Sequence, residues 1–214
     1  MQQSSTIAMI GGTGKAGKYI VNQLIQRGFR LKILLRNSEK FVIQSPQIEI
    51  IQGDVKDYDK VLSLIKGTEV VISALGLGQP ASETSIFSQA TTNILQAMKT
   101  CNIQRYIVIT GINVNTPFDK KSSKTQFATD WMYANYPKTT TDKQTEYAIL
   151  IESKVDWTLV RLPLIEQTDE ISEVQISLED CLGDKISAIN LANFLINQLF
   201  DNEYINKSPF LSNV

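Results

Sequence analysis

The sequence predicts an α/β protein with a single doubly wound parallel sheet. Short runs of β-branched and apolar residues alternate along the chain with longer amphipathic stretches. This alternation is typical of a parallel sheet with both faces covered, because parallel strands are usually joined by a helix. With 214 residues, 43% of them apolar, the chain is long enough for one core and short for two. We therefore expect residues 1–214 to form one domain.

Each element has its own local signal. Uninterrupted apolar runs predict strands over residues 6–10, 31–35, 48–51, 70–74, 106–110 and 157–161. The stretches between and after them predict helices over residues 15–27, 58–65, 85–99, 139–153 and 188–200. Asp57 and Ser187 are good N-caps for two of these helices, because their short side chains accept hydrogen bonds from the first turn.

The charge balance argues against several classes of partner. The chain has 21 Lys and Arg against 22 Asp and Glu, without a basic cluster that would attract nucleic acid or an anionic membrane. No apolar run approaches the roughly 18 residues of a membrane span. The first residues are polar and uncharged, unlike a signal or transit peptide. We expect a cytoplasmic monomer or homodimer that acts on a small molecule.

The sequence contains no histidine. This absence removes Ser-His-Asp hydrolysis, Cys-His proteolysis and most zinc chemistry. Acid–base work must come from Tyr, Lys, Asp, Glu or solvent, and we expect no metal site.

The segment MIGGTGKAGKY, which follows the first predicted strand, satisfies two phosphate-binding patterns. One is G-x-x-x-x-G-K, which forms a P-loop when Ser or Thr follows the lysine and coordinates magnesium. Here Tyr19 follows, and no apolar strand ends in the Asp that a P-loop protein needs. The P-loop interpretation is therefore the weaker one.

The other pattern is G-x-G-x-x-G, formed by Gly12, Gly14 and Gly17. It assigns the tight turn to Gly12, close approach to a pyrophosphate to Gly14, and helix packing to Gly17. The loop lies between a strand and a helix, so the helix N-terminal amides can meet the phosphates. The sequence thus predicts a dinucleotide-binding Rossmann fold.

The end of the second strand indicates which dinucleotide is bound. NAD enzymes place an acidic residue there for the ribose 2′-hydroxyl, whereas this sequence has Arg36. A guanidinium at this point would pair with a 2′-phosphate and stack on adenine. An ordinary solvated arginine is the alternative, and we favour NADP(H).

Several segments together carry a resemblance to a known family. They are IGGTGKAGKYI, ILLRNSEK, IQGDV, AMKTCNIQRYIVIT and ESKVDWTLVRLPLI. In this order and spacing they resemble an atypical short-chain dehydrogenase/reductase of the NmrA-like NAD(P)-binding group. The likeness is greatest to the biliverdin reductase B and flavin reductase type, and it runs through nearly the whole chain.

The resemblance implies a cofactor site and a short C-terminal substrate-side segment. The resemblance implies that the pyrophosphate lies against Gly11, Gly12, Thr13, Gly14, Lys15 and Ala16, and the 2′-phosphate against Arg36. It implies that Asp54 and Val55 border the adenine, and that the nicotinamide ribose lies beside Leu75, Gly76, Thr110 and Lys143. Pro163, Leu164 and Ile165 are implied at the nicotinamide. Thr110 and Lys143 are also the candidate catalytic residues.

The sequence departs from the family at the catalytic positions. Ordinary members use a Tyr-x-x-x-Lys pair; Lys143 matches the lysine, but Thr139 stands where the tyrosine would be. A threonine hydroxyl is too weak an acid to replace it. Gly111 replaces a serine of the flavin reductase relatives, and Leu164 a histidine of some of them. Glu146 and Asp130 are weak candidates for an acid.

These departures favour an acceptor that takes hydride without an enzymic acid, as a flavin or quinone does. The candidates for an apolar floor under the acceptor are Leu75, Leu77, Pro80, Phe118, Trp131, Tyr136 and Leu164. The polar segment FDKKSSKT is a candidate lid. A non-catalytic NADP-binding sensor suits the lost tyrosine equally well. An epimerase or dehydratase of nucleotide sugars is a weaker alternative, since few residues remain for a sugar site.

Overall fold

The structure is a computed structural model that describes residues 5–77 and 84–213. Over these residues the chain has ten strands and six α-helices. The strands are β1 (Thr6–Ile10), β2 (Arg30–Leu35), β3 (Ile48–Gln52), β4 (Val70–Ser73), β5 (Arg105–Gly111), β6 (Asp156–Leu162), β7 (Leu164–Glu166), β8 (Val174–Ser177), β9 (Lys185–Ser187) and β10 (Phe210–Asn213). The α-helices are α1 (Gly17–Gln26), α2 (Tyr58–Ile65), α3 (Ile86–Cys101), α4 (Ser123–Asn135), α5 (Pro137–Glu152) and α6 (Ala188–Asn197).

The central sheet has the strand order β3-β2-β1-β4-β5-β6-β10-β8. Strands β1 to β6 pair only in parallel along this order, and the chain reverses direction across the sheet between β1 and β4. Helices cover both faces, as in the Rossmann fold. The structure therefore confirms the predicted α/β fold.

Alternate residues of each strand enter two separate cores. Ile7 and Met9 of β1 pack with α1 and α6 on one face. Ala8 and Ile10 pack with α2, α3 and α5 on the other face. This division follows from the two-residue period of a strand, and it explains why the strands are apolar throughout.

The local signals located most of the elements correctly. Asp57 caps α2 by accepting from the N–H groups of Asp59 and Lys60, at 3.0 and 3.3 Å. Ser187 caps α6 by accepting from the N–H of Asn190 at 3.3 Å, as predicted. The last helix ends at Asn197, three residues before the predicted end at residue 200.

The part of the chain after β5 differs from the prediction. Strand β10 joins the sheet beside β6 and pairs with β8 in the antiparallel sense, so the sheet is mostly rather than wholly parallel. Strands β7 and β9 form a small parallel pair of their own. Short strands of this kind carry too few residues to show a period in the sequence.

Helix α4 was not predicted, because it lacks the apolar stripe of a core helix. Its buried residues are Thr125 and Thr129, while Phe127 and Trp131 are 71% and 48% exposed. Ser122 begins the helix by accepting from the N–H of Thr125 at 3.4 Å. The helix is therefore held by its cap and by polar contacts.

A buried ion pair joins the segments of the chain after β5. The Arg161 side chain on β6 is fully buried, and its Nη1 lies 2.6 Å from Asp119 Oδ1. The guanidinium also donates to the carbonyl oxygens of Ser208, Val114 and Leu178, at 2.9, 3.2 and 3.2 Å. One side chain thus ties β6 to the segment after β5, to the residue that follows β8 and to the chain before β10.

The same network shows that the FDKKSSKT segment is not a free lid. Asp119 and Lys121 have side chains only 11% and 3% exposed, with Nζ and Oδ2 3.7 Å apart. Lys121 Nζ also donates to the Ile112 carbonyl at 2.9 Å and to Thr129 Oγ1 at 3.0 Å. Moving such buried charges away from their partners carries a large cost, so these contacts argue against the lid hypothesis.

We expect Asp119→Asn to lower the free energy of unfolding by about 3 kcal/mol, because it leaves a buried arginine without its counter-charge. Glu179→Gln is the matched control, because it breaks the exposed ion pair with Lys120 (54% and 73% exposed side chains). That change should cost less than about 1 kcal/mol. Denaturant unfolding of both variants checks this, and equal losses would contradict the importance of burial.

Candidate cofactor-binding and active site

The loop between β1 and α1 turns at Gly11. Gly11 has a φ of +79°, and a Cβ atom on it would lie 2.3 Å from the Ala74 carbonyl oxygen. The assignment of the tight turn to Gly12 is wrong, since the left-handed conformation that favours glycine lies one residue earlier. Gly12 instead packs against the core, where a Cβ atom would lie 3.1 Å from Ile33 Cγ2.

Helix α1 begins very close to this loop. A Cβ atom on Gly17 would lie 2.0 Å from the Gly11 carbonyl oxygen, so only glycine permits the approach. The Gly14 N–H donates to the same carbonyl oxygen at 3.0 Å. The loop is therefore compact before any ligand binds.

The start of α1 suits an anion. Thr13, Gly14 and Lys15 are exposed in front of the helix, and Ala16 is buried at its N-cap position. In the described part of the chain, no side chain caps α1 and its first turn contains no acidic residue. A helix start offers backbone N–H groups and a positive dipole end, which favour phosphate.

Two further segments follow β2 and β3, the strands on one side of β1 in the sheet. Arg36 comes directly after β2 and is exposed. Asp54 and Val55 follow β3; Val55 is buried, and the Asn93 side chain donates to its carbonyl oxygen at 3.0 Å. Asp54 Oδ1 accepts from the Lys56 N–H at 2.9 Å, which shapes this turn. Because parallel strands end at one edge, these residues lie along the same edge of the sheet as the glycine loop.

Residues after β4 continue the same edge. Leu75 and Leu77 are half-buried and pack against the α3 side of the core, and their role as floor residues stays a prediction. Gly76 is exposed, and a Cβ atom there would meet no atom within 4 Å. Pro80, another predicted floor residue, lies outside the described residues.

The end of β5 meets Lys143 of α5. Thr110 is 6% exposed, and its Oγ1 has no hydrogen-bond partner among the described residues. Lys143 Nζ lies 3.7 Å from the point that a Cβ on Gly111 would occupy, and 5.0 Å from the Phe87 ring centroid. Burial lowers the pKa of Lys143, and Glu146 partly opposes this effect. The structure brings the two candidate catalytic residues to the same strand end.

Near Lys143 lies the buried carboxyl group of Glu146, one of the two residues named above as weak candidates for an acid. Glu146 Oε1 accepts from Thr91 Oγ1 at 2.7 Å, and Thr91 Oγ1 is 3.2 Å from the Tyr106 hydroxyl. Glu146 Oε2 is buried with no partner in the part of the chain that the structure describes. Burial raises the pKa of Glu146 to about 8, despite the opposing effects of the Thr91 hydrogen bond and of Lys143. Glu146 is distinguished from other acidic residues by its burial on α5, which the sequence alone does not reveal.

Other positions near α5 have structural roles. Asp142 accepts from the N–H groups of Phe87 and Ser88, at 2.8 and 3.3 Å, and so stabilises the start of α3. Thr139 is buried at the position of the missing tyrosine. Asp130 on α4 is exposed and accepts from Gln126 at 2.7 Å, which gives it no link to Lys143.

A cavity of about 550 Å³ opens beside Lys143 and the end of β5. Helix α4 forms one wall with Phe127 and Trp131, and the link between β6 and β7 forms another. At the rim, Lys124 of α4 forms an ion pair with Asp184, which precedes β9. The volume and apolar lining are those of a small-molecule site.

The three residues predicted to close over the nicotinamide lie in two different environments. Pro163 and Leu164 line the cavity, with Leu164 69% exposed. Ile165 packs instead against the core cluster on the α6 side, because neighbouring residues of a strand point to opposite faces. Of the other predicted floor residues, Trp131 lies in the cavity wall with Tyr136 against it, ring centroids 5.7 Å apart.

A family profile described as NAD(P)H-binding matches residues 11–202, which is most of the chain. The protein belongs to this NAD(P)H-binding family.

Curated relatives share part of their length with this family member. Eugenol synthase 2 of Clarkia breweri is 34% identical over 99 residues, 41% of this chain and 31% of that protein. Phenylcoumaran benzylic ether reductase Pyrc5 of Pyrus communis is 32% identical over 97 residues, 41% of this chain and 32% of that protein. Protein TIC 62, chloroplastic, of Pisum sativum is 25% identical over an alignment of 226 residues, 91% of this chain and 40% of that protein. The chain therefore spans less than half the length of these relatives.

Solved structures share the fold of this NAD(P)H-binding chain. A short-chain dehydrogenase/reductase from Veillonella parvula in complex with NADP superposes with a TM-score of 0.83 and 14% identity, covering 98% of this chain and 94% of the other. At that identity the likeness shows the fold.

None of the helices in residues 5–77 and 84–213 combines the length and apolar character that a membrane span requires. The same residues bring together no group of three or more His, Cys, Asp or Glu side chains suited to a metal ion.

We expect Gly17→Ala to weaken NAD(P)H binding at least tenfold and to lower the free energy of unfolding by roughly 1–3 kcal/mol, since its Cβ would overlap the Gly11 carbonyl. Cofactor titration and denaturant unfolding measure the two effects. Gly76→Ala is the control for stability, because it meets no atom, and it should stay within about 0.5 kcal/mol of the parent. Unchanged cofactor affinity in Gly17→Ala would contradict the role of this loop.

Glu146 should make stability depend on pH. Its pKa rises from an ordinary 4.5 to about 8 on folding, so the folded protein holds more protons than the unfolded chain between these values. The contribution of this group to stability therefore decreases as pH rises from about 4.5 to about 8. The Glu146→Gln variant has no carboxyl group at this position and therefore lacks this pH dependence. The difference in unfolding free energy between the variant and the parent should shift by a few kcal/mol in favour of the variant between pH 4.5 and pH 8.

Denaturant unfolding at pH 5 and pH 8 tests the Glu146 prediction. Glu152→Gln is the matched control, since Glu152 is exposed at the end of the same helix. Parallel pH dependence in the parent and Glu146→Gln would rule out a protonated Glu146 in the fold.

Proposed function

We propose that the protein is an NADPH-dependent reductase that transfers hydride to a flavin, a quinone or a similar conjugated acceptor. The observation that carries the proposal is the cavity of about 550 Å³, walled by Trp131 and Phe127, which meets Lys143 at the end of β5. Belonging to the NAD(P)H-binding family supplies the donor. The reductase names of several relatives and the resemblance to the flavin reductase type agree with it.

The cofactor residues follow the edge of the sheet. The glycine loop, from Gly11 to Ala16, would hold the pyrophosphate at the start of α1. Asp54 and Val55 would border the adenine, and Leu75 with Gly76 the ribose beyond the pyrophosphate. The Thr110 Oγ1, which is buried and has no partner among residues 5–77 and 84–213, would face the nicotinamide half, and Lys143 its ribose.

Arg36 supports the choice of NADP(H). It follows β2 at the point where NAD enzymes need a carboxylate for the 2′-hydroxyl. The segment from Leu35 to Ser38 contains no acidic residue in this sequence. A guanidinium there pairs with a phosphate through charge-assisted hydrogen bonds.

The acceptor side lacks the acid of ordinary dehydrogenases. When bound, the nicotinamide supplies a hydride. The protein residues orient the two rings, exclude water through the aromatic wall of α4, and present the Lys143 ammonium near the strand end. With Thr139 at the tyrosine position, the reaction suits acceptors whose negative charge is delocalised after hydride transfer.

We expect Arg36→Glu to weaken NADPH binding at least tenfold with little change in NADH binding, because the carboxylate would repel a 2′-phosphate. Arg30→Glu is the matched control, since Arg30 is exposed at the opposite end of the same strand. Calorimetric titration with both cofactors measures the effects. Equal NADPH affinity in Arg36→Glu and Arg30→Glu would overturn the choice of cofactor.

The reductase proposal is tested by NADPH oxidation with FMN, riboflavin and 2,3-dimethyl-1,4-naphthoquinone as acceptors, with NADH in parallel. We expect turnover with NADPH well above that with NADH. Tight cofactor binding with no turnover on any acceptor would overturn the reductase proposal and favour the NADP-binding sensor.

A further inference from the structure

Two lysines line the cavity beside the end of β5, and their surroundings differ. The side chain of Lys124 is 60% exposed at the rim and forms an ion pair with Asp184. Lys143 is half-buried, and within the residues that the structure describes it forms no ion pair with a carboxylate. The cavity therefore contains one paired and one unpaired amine.

The surroundings of Lys143 favour the neutral amine more than those of an exposed lysine do. Burial lowers the pKa of Lys143, because an ammonium group loses hydration there. Glu146 and the Phe87 ring, whose centroid is 5.0 Å from Nζ, oppose this effect. Glu146 opposes it less than an ordinary glutamate would, because its own pKa, raised to about 8, keeps much of it protonated near pH 7. A lysine whose pKa is lowered in this way is a nucleophile.

Gly111 leaves one side of this amine uncovered. Gly111 lines the same cavity, and a Cβ atom on it would lie 3.7 Å from Lys143 Nζ. That distance is ordinary van der Waals contact, so any side chain at this position would cover part of the amine. With glycine there, a ligand in the cavity can approach Nζ from the side of β5.

The rest of the cavity suits a small, flat and uncharged ligand. Its volume of about 550 Å³ is walled on the α4 side by Phe127 and Trp131, which are 71% and 48% exposed. Aromatic faces of this kind pack well against another flat ring. The other charged side chains of the lining, Lys124 and Asp184, compensate each other, so the wall offers no surplus charge to bind an ionic ligand.

We propose that Lys143 is a covalent capture site for small uncharged aromatic aldehydes, which it binds as an imine. The neutral Nζ attacks the carbonyl carbon, and the carbonyl π electron pair moves to the oxygen, which takes up a proton. Loss of water from this adduct leaves a C=N bond between Nζ and the ligand. The overall change converts amine and aldehyde to imine and water, so the step needs no oxidant or reductant.

The test treats the folded protein with 2-naphthaldehyde and sodium cyanoborohydride, which converts each imine to a stable secondary amine. Tandem mass spectrometry of chymotryptic peptides then gives the rate at each lysine. Lys138 is the internal control, because it is exposed on the same helix as Lys143. We expect Lys143 to react at least about fivefold faster than Lys124 or Lys138, and this preference to fall below about twofold in 8 M urea.

Lys143→Arg and Lys138→Arg are the matched variants, since arginine keeps the positive charge but cannot form the imine. Intact-mass spectrometry should show that the fastest adduct disappears in Lys143→Arg and persists in Lys138→Arg. Melting curves establish that both variants are folded. The assay contains no nicotinamide cofactor, so its result is independent of the proposed reductase function.

Three outcomes would overturn the inference. Equal rates at Lys143 and Lys138 in the folded protein would show that the cavity confers no reactivity. A faster rate at Lys124 would place the reactive amine at the rim. A preference for Lys143 that persists in urea would assign it to the local sequence instead of the folded site.

Discussion

The buried ion pair of Arg161 and Asp119 is the interaction on which the packing of the chain after β5 depends. Arg161 is completely buried, and its guanidinium lies 3.5 Å from the Phe210 ring centroid. Burying a guanidinium costs several kcal/mol unless its charge and donors are matched, and here every neighbouring segment contributes an acceptor. Loss of Asp119 would leave a buried charge uncompensated, and loss of any of the three carbonyl acceptors would leave a buried N–H group without that hydrogen bond. The cavity wall after β5 is therefore held in place by buried contacts within the chain itself.

The two ends of the candidate site do different kinds of work. At the glycine loop, the backbone would bind the phosphates, through the start of a helix that carries no acidic residue in its first turn. Around the cavity, side chains would make the contacts, through the aromatic wall of α4 and Lys143. Under the proposed function, such a site would position the reactants without supplying an acid, and it would suit acceptors that delocalise the charge of the transferred hydride.

Local and global signals explain what the sequence could and could not predict. Strands such as β1 and β4, the glycine loop and the Asp57 cap were visible because each depends on residues adjacent in the chain. Helix α4 was missed because its aromatic residues face a cavity instead of a core. Glu146 and Arg161 have no sequence signature, since their roles depend on burial and on partners far along the chain. Arg161 in particular is just one charged residue in an apolar strand until Asp119 is brought to it.

Gly11 links two segments that are distant in sequence and that, under the proposed function, would bind successive parts of one dinucleotide. A Cβ atom there would lie 2.3 Å from the Ala74 carbonyl oxygen and 3.0 Å from the Leu75 nitrogen, so the turn after β1 and the end of β4 are in direct backbone contact. Neither backbone can shift without moving the other. The turn proposed for the pyrophosphate and the segment proposed for the nicotinamide ribose would therefore move together, so the distance between the two halves of the dinucleotide site is set by the protein backbone.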